Sequence, residues 1–155
     1  MINLVITWLY SPRWFFILKN SLHICFKHCH EFLPYYSVFQ ALKHAAIYAN
    51  RKLEVAFVYA ENLEDHMRTS NPDLFHQAWL SVSNSQAVVV PGGFGARGFE
   101  GKLAAIRFCR ERGVPFLGLC LGLQCAAIEF ARSVLGWQVR LYLVSFEGIC
   151  VLPPQ

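Results

Sequence analysis

Apolar positions along the chain change period several times, and each change marks an element. From Ser37, the residues Val38, Leu42, Ala45, Ala46 and Ala49 recur at helical spacing, and Asn50-Arg51 follows as a turn. Leu53 to Tyr59 is rich in β-formers and partly alternating, which predicts a strand. A polar stretch through Asn62, Asp65, Ser70 and Pro72 makes a surface connection. Asp73 to Val82 reads as a helix with Phe75 and Trp79 four apart, and it leads to the short apolar strand Ala87 to Val90. A helix from about Glu100 to Arg112, a strand from Val114 to Leu119 and a last helix to about Val134 complete the pattern. Short apolar strands alternating with amphipathic helices predict an α/β fold. It is an open parallel sheet with helices on both faces and functional loops at the carboxyl ends of the strands.

The two ends of the chain do not follow this pattern. Residues 1 to about 33 are apolar, aromatic and rich in Cys and His, without a period of two or 3.6, and Pro34 closes them. Residues 1–36 are therefore left without a fold. Pro12 and Arg13 interrupt the opening apolar run and no basic segment precedes it. It makes a poor signal peptide and a short bilayer span, so a membrane anchor is the minor reading. His23, Cys25, His28, Cys29 and His30 are metal-ligand types, but their spacing matches no paired zinc knuckle, and accidental composition is the favoured reading. After Trp137 the pattern frays. Val139 to Val144 could form a strand, and 139–155 is treated as an unassigned tail.

Composition narrows the class. A chain of 155 residues with 55% apolar content holds one domain with a sizeable core. The net charge of +4 is modest and spread out, which does not support a nucleic-acid partner. Lys102, Arg107, Arg110 and Arg112 cluster, but on an amphipathic helix they read as a solvated face. Six cysteines at 25, 29, 109, 120, 125 and 150 lack the regular spacing of a disulfide framework, and a reducing cytoplasm fits them best.

Two corners carry candidate chemistry. Cys120 lies in Gly118-Leu119-Cys120-Leu121-Gly122, between an apolar strand and a helix. Glycines two residues to either side let the chain turn sharply and present the thiol at the tip of the bend. The free N–H groups of the first helical turn favour the thiolate and can bind a developing oxyanion. The competing reading is a buried packing cysteine whose glycines permit close helix–sheet approach.

The other corner, Gly93-Phe94-Gly95-Ala96-Arg97-Gly98, satisfies the dinucleotide pattern G-x-G-x-x-G. In that fingerprint the next strand ends in an acid, about twenty residues on, whereas here the next strand ends in Gly118-Leu119-Cys120. A phosphate-binding Walker loop fails for want of Gly-Lys-Ser/Thr. Neighbouring strand ends converge on one crevice, so Gly92 and Gly93 can instead line the cysteine's pocket. They would then give a second oxyanion donor beside the Leu121 amide. A turn without chemical role is the alternative at this point.

Val88-Val89-Val90-Pro91-Gly92-Gly93-Phe94-Gly95, then Arg97-Gly98, Glu100-Gly101-Lys102, Pro115 through Gln124 and Glu129-Phe130-Ala131-Arg132 closely resemble the glutaminase domain of the CTP synthase family. That domain is a class I glutamine amidotransferase. The likeness covers residues 37–138 and implies a flavodoxin-like sheet. It implies that Cys120 attacks the side-chain amide of L-glutamine, and that Gly92, Gly93, Leu121, Gly122, Leu123 and Gln124 bind glutamine and its oxyanion, largely through backbone. Arg97, Gly98 and Glu100 match a loop associated with the family's GTP response. The resemblance implies no cofactor and no metal in this domain. The intact family enzyme uses ATP, Mg²⁺, UTP and GTP to aminate UTP to CTP.

The family completes its site with a later His-Pro-Glu, but all six histidines here, at 23, 28, 30, 44, 66 and 76, precede Cys120. No general base carries over, and the 155 residues are expected to form a truncated, inactive module without the amidoligase domain. Its expected partners are glutamine and either full-length CTP synthase or further copies of itself. The rival readings are another cysteine γ-glutamyl hydrolase or amidotransferase on the same fold, and a non-catalytic interaction subunit.

Overall fold

The structure is a computed structural model, and it describes the backbone of 24–26 together with residues 35–93 and 97–137. The stretches 138–155 and most of 1–34, including the candidate strand after Trp137 and the Cys/His cluster apart from the backbone of Cys25, lie outside the described residues.

Four short strands run parallel: β1 (Ile24–Phe26), β2 (Phe57–Tyr59), β3 (Val88–Val90) and β4 (Phe116–Gly118). β1 pairs with β2, and β3 pairs with β4. β1 also lies beside β3, with no ladder between them, so the two two-stranded ladders stand in the order β2–β1–β3–β4. From β1 the chain crosses outward to β2, and from β3 it crosses outward the other way to β4. The carboxyl ends of β1 and β3 therefore mark the topological switch point of a doubly wound sheet, where such folds place their sites. Two expectations change here. The aperiodic N-terminal stretch supplies strand β1, and the strand expected over Leu53 to Tyr59 is confined to its last three residues.

The helices cover both faces. α1 (Tyr36–Tyr48) lies on one face, where Leu42 joins Tyr35, Val55, Leu117 and Leu119 around buried Val89. The main core lies on the other. There α3 (Pro72–Ser83), α4 (Phe99–Arg112) and α5 (Leu121–Ser133) close over Val58, Val88 and Val90. α2 (Met67–Ser70) is a single turn in the polar connection after the 3₁₀ turn Ala60–Leu63. All three β3 valines are buried because the strand is covered on both sides, and their unbroken apolar run follows from that.

Local chemistry sets the helix ends. α1 closes with Asn50 in a left-handed conformation (φ 52°), its N–H donating to the Ile47 carbonyl at 3.0 Å while the Arg51 N–H donates to Ala46 at 2.8 Å. α3 begins at Asn71, whose side chain accepts from the Leu74 N–H, with Pro72 in the first turn. α4 runs between Gly98 and Gly113, both left-handed. Along α5, Leu121, Cys125, Ile128 and Glu129 make the buried stripe at spacings of four, three and one.

The basic cluster on α4 needs correction. Lys102 is buried, its ammonium donating to the Arg97 carbonyl at 3.5 Å, because the N-terminal end of α4 is pressed onto the 3₁₀ turn. Arg110 reaches across to Glu129 on α5. Arg107, Arg110 and Arg112 are exposed, as expected of a solvated face, and Arg107 pairs with Glu111 one turn on at 2.8 Å.

Candidate active site

The register of β3 on β4 builds the site. Val88 lies opposite Phe116, Val89 opposite Leu117 and Val90 opposite Gly118, so the two strands end level. The Leu119 N–H donates to the Val90 carbonyl at 2.9 Å and carries the pairing one residue further. Pro91-Gly92-Gly93 and Cys120 consequently leave the sheet side by side.

Cys120 takes φ 51° and ψ −107°, a backbone conformation that costs a non-glycine residue of order 1–3 kcal/mol. Close packing of the bend on both sides holds it there. A Cβ on Gly118 would lie 2.7 Å from the Gly122 carbonyl carbon, and a Cβ on Gly122 would overlap the Val90 carbonyl oxygen. With both positions reduced to hydrogen, α5 starts directly over the strand ends and the thiol projects to solvent. Cys120 is exposed, whereas Cys109 and Cys125 are buried, and burial pushes the Cys109 thiol up to about 12.

The glycine corner stands against the cysteine. A Cβ on Gly92 would lie 3.2 Å from the Cys120 Cβ and 3.8 Å from its Sγ. A side chain there would crowd the bend. Leu121 and Gly122 are buried at the start of α5, Leu123 is half exposed, and Gln124 keeps its Oε1 buried without a hydrogen-bond partner among the described residues. The Gly122 N–H is taken by the Leu119 carbonyl at 2.9 Å, and the Gln124 N–H by Cys120 at 3.1 Å. The amide of Leu121 directly follows the nucleophile candidate at the open N-terminus of α5, where helical N–H groups lack intrahelical acceptors.

The second loop is held elsewhere. Arg97 pairs with Glu61 at 2.6 Å, Gly98 packs on Ala60 and Glu61 in a left-handed conformation (φ 67°), and Glu100 pairs with Arg132 at 3.1 Å. These contacts tie it to the 3₁₀ turn and to the far end of α5 rather than to Cys120. Phe94 to Ala96 lie outside the described residues. Among the described residues no group of three or more His, Cys, Asp or Glu could hold a metal ion, and no helix is long and apolar enough to cross a membrane.

Two features were not anticipated from the sequence. Tyr35, immediately before α1, donates its hydroxyl to the Gly92 carbonyl at 3.4 Å. It lies between Pro34 and the first periodic helix, and its one signal was an aromatic at the mouth of that helix. Glu129 is buried and bound at both oxygens by Arg110, at 3.0 and 2.8 Å. Its position on the apolar stripe of α5, beside Ile128, was the available signal.

The glutamine amidotransferase class-I family matches residues 33–144. The chain belongs to that family. Among its relatives, CTP synthase of Eremothecium gossypii is 50% identical over 71% of the chain, and CTP synthase of Schizosaccharomyces pombe is 48% identical over 76%. These matches cover 19% and 20% of the relatives, so the chain spans about a fifth of their length. Among solved structures, the Trypanosoma brucei CTP synthase glutaminase domain with bound acivicin is similar, with a TM-score of 0.63 and 33% identity. The match covers 75% of this chain and 42% of that one. The amidotransferase fold and the resemblance to CTP synthase glutaminase domains thus stand on sequence and structure alike.

Proposed function

We propose that this domain carries the glutamine-hydrolysing half-reaction of a CTP synthase, with Cys120 as nucleophile. The observation that carries the reading is an exposed thiol on a strained bend, seated against Gly92 at the switch point of the sheet. The sulfur attacks the carboxamide carbon of L-glutamine. The carbonyl oxygen takes negative charge, and the amides of Leu121 and Gly93 stabilise it. Collapse breaks the carbon–nitrogen bond, the departing nitrogen takes up a proton and leaves as ammonia, and a γ-glutamyl thioester remains for water to cleave to glutamate. Gly122, Leu123 and Gln124 contribute to binding glutamine, largely through backbone. Arg97, Gly98 and Glu100 belong to a loop responsive to GTP. In the whole enzyme the ammonia serves amination of UTP to CTP with ATP and Mg²⁺, in the cytoplasm, within an assembly with full-length synthase or further copies.

No proton relay to Cys120 is present among the described residues. None of the described histidines hydrogen-bonds Cys120, and no histidine follows it in the 155 residues. Removing the base of such a site costs several orders of magnitude in rate, so the 155-residue chain binds glutamine and is alkylated without steady turnover. The test treats the purified chain with a glutamine-derived chloromethyl ketone. Labelling at Cys120 that L-glutamine blocks, with glutamate release at background, supports the reading. Protection by a γ-glutamyl peptide but not by glutamine overturns the substrate. Steady glutamate release abolished by Cys120→Ala overturns the missing base.

A second reading rests on Ile47 and Tyr48, which are 75% and 95% exposed at the end of α1. Apolar surface of that kind suits a non-catalytic subunit docked on a full-length synthase. Co-purification with that enzyme supports it, and a monomer indifferent to the enzyme ends it.

A further inference from the structure

Tyr35 occupies a place from which it can act on the oxyanion site without touching substrate. Its ring packs with Leu42, Val55, Leu117 and Leu119 around Val89, on the α1 face of the sheet, and its hydroxyl donates to the Gly92 carbonyl at 3.4 Å. A peptide unit is planar and trans, so the carbonyl of Gly92 and the N–H of Gly93 point in opposite directions from one rigid plate. Whatever fixes the carbonyl fixes the amide. This control matters because Gly92-Gly93 has no side chains to hold its peptide planes, and glycine backbones rotate freely. The plate starts beside the nucleophile candidate, since the Cβ direction of Gly92 points at Cys120, 3.2 Å from its Cβ and 3.8 Å from its Sγ.

We propose that Tyr35 is a positioning residue: its phenol holds the Gly92 carbonyl on the α1 side and thereby aims the Gly93 N–H at the oxyanion. The inference rests on the glutaminase reading. At 3.4 Å the hydrogen bond is long, and negative charge on the far side of the plate would strengthen it by polarising the peptide. Polarisation runs in the useful direction, since a donor on the carbonyl of a peptide makes its N–H a better donor.

Two electrophiles separate this role from a structural one. With a glutamine-derived chloromethyl ketone the sulfur first adds to the carbonyl carbon and leaves an oxyanion; the carbonyl then re-forms as the sulfur moves to the neighbouring methylene, the carbon–chlorine bond breaks and chloride leaves. Iodoacetamide alkylates sulfur by direct displacement of iodide, with no oxyanion. In the 155-residue chain, Tyr35→Phe removes only the hydroxyl. We expect it to slow ketone labelling of Cys120 about tenfold, less than the loss of an oxyanion donor itself, and to leave the iodoacetamide rate unchanged. The Gly93 amide resonance should move as well. Equal ketone rates in Tyr35→Phe and the parent overturn the inference while leaving Cys120 as nucleophile. A parallel fall in both rates also overturns it, since that marks general loosening of the bend. If the parent itself is not labelled by the ketone, the glutaminase reading fails and this inference falls with it.

Discussion

Gly92 and Cys120 touch across the ends of two adjacent strands, with only 3.2 Å between the Cys120 Cβ and the place where a Gly92 Cβ would be. That distance is tighter than ordinary side-chain contacts but short of a collision, so the bend has to give by a few tenths of an ångström. Gly92→Ala should therefore fold, at a cost of about 1 kcal/mol from overpacking. The added methyl stands 3.8 Å from the sulfur, at the approach to it. Labelling of Cys120 by the bulky glutamine ketone should slow far more than labelling by iodoacetamide. Equal slowing of both would show that the glycine is needed for the fold of the bend rather than for access to it.

The glycines fall into two physical kinds, and substitution separates them. Gly122 meets the Val90 carbonyl oxygen and Gly118 meets the backbone of Gly122, so neither contact can move without parting α5 from β3 and β4. Gly113 has left-handed φ (68°) and open space around it. Gly122→Ala should cost about 3 kcal/mol or more in urea unfolding, the scale of severe overpacking. Gly113→Ala should cost about 1–2 kcal/mol, the penalty of the left-handed conformation alone. A smaller loss at 122 than at 113 would mean that the helix does not sit as close to the strand as described.

The central part of this arrangement was legible before any coordinates. Alternating short apolar runs and helical periods located β3, α4, β4 and α5 to within a residue or two, since buried parallel strands and amphipathic helices impose different periods on one chain. The glycine spacing around Cys120 announced the sharp bend. What could not be read was pairing across space. Lys102 looked solvated because charge alone does not reveal that the start of α4 is pressed on the 3₁₀ turn, where Gly101 meets the Ala60 carbonyl. β1 was missed because three strand residues in an aperiodic, aromatic stretch carry no periodic signal. Tyr35 was missed because its partner lies 57 residues away.

Thiol chemistry should distinguish the cysteines of the folded domain sharply. Cys109 is buried with its thiol pushed up to about 12, and Cys125 is fully enclosed under α5, while Cys120 is exposed. Only the thiolate reacts. At pH 8, mass spectrometry after brief iodoacetamide treatment should find Cys120 modified and Cys109 and Cys125 untouched. All three should react after unfolding in urea. Modification of Cys109 at a rate near that of Cys120 in the native protein would contradict the packing of α4 against the sheet.

The bond between Arg110 and Glu129 should give the domain a distinct acid dependence. Burial by itself pushes the Glu129 carboxyl upward. The Arg110 hydrogen bonds, a hydrogen bond from Ser133 and the positive charges of Arg110 and Arg107 pull harder, and the carboxyl ends below its ordinary value of 4.5. With the folded value depressed, the folded state holds the anion while the unfolded chain takes up the proton first. The stabilisation is therefore complete above about pH 4.5 and disappears as pH falls through the lower folded value. Glu129→Gln should flatten the loss of stability over that acid range, measured by urea unfolding from pH 7 downward. Arg110→Ala should do the reverse. It leaves a buried carboxylate without its partner, costs about 2 kcal/mol at pH 7, and makes protonation of Glu129 favour the folded state. The cost falls short of the roughly 3–5 kcal/mol of a fully buried pair because Arg110 is partly solvated. Compared with Arg110→Ala/Glu129→Gln, the single variant Arg110→Ala should regain stability as pH drops. If the two lose stability in parallel, Glu129 is not the group the arginine holds charged.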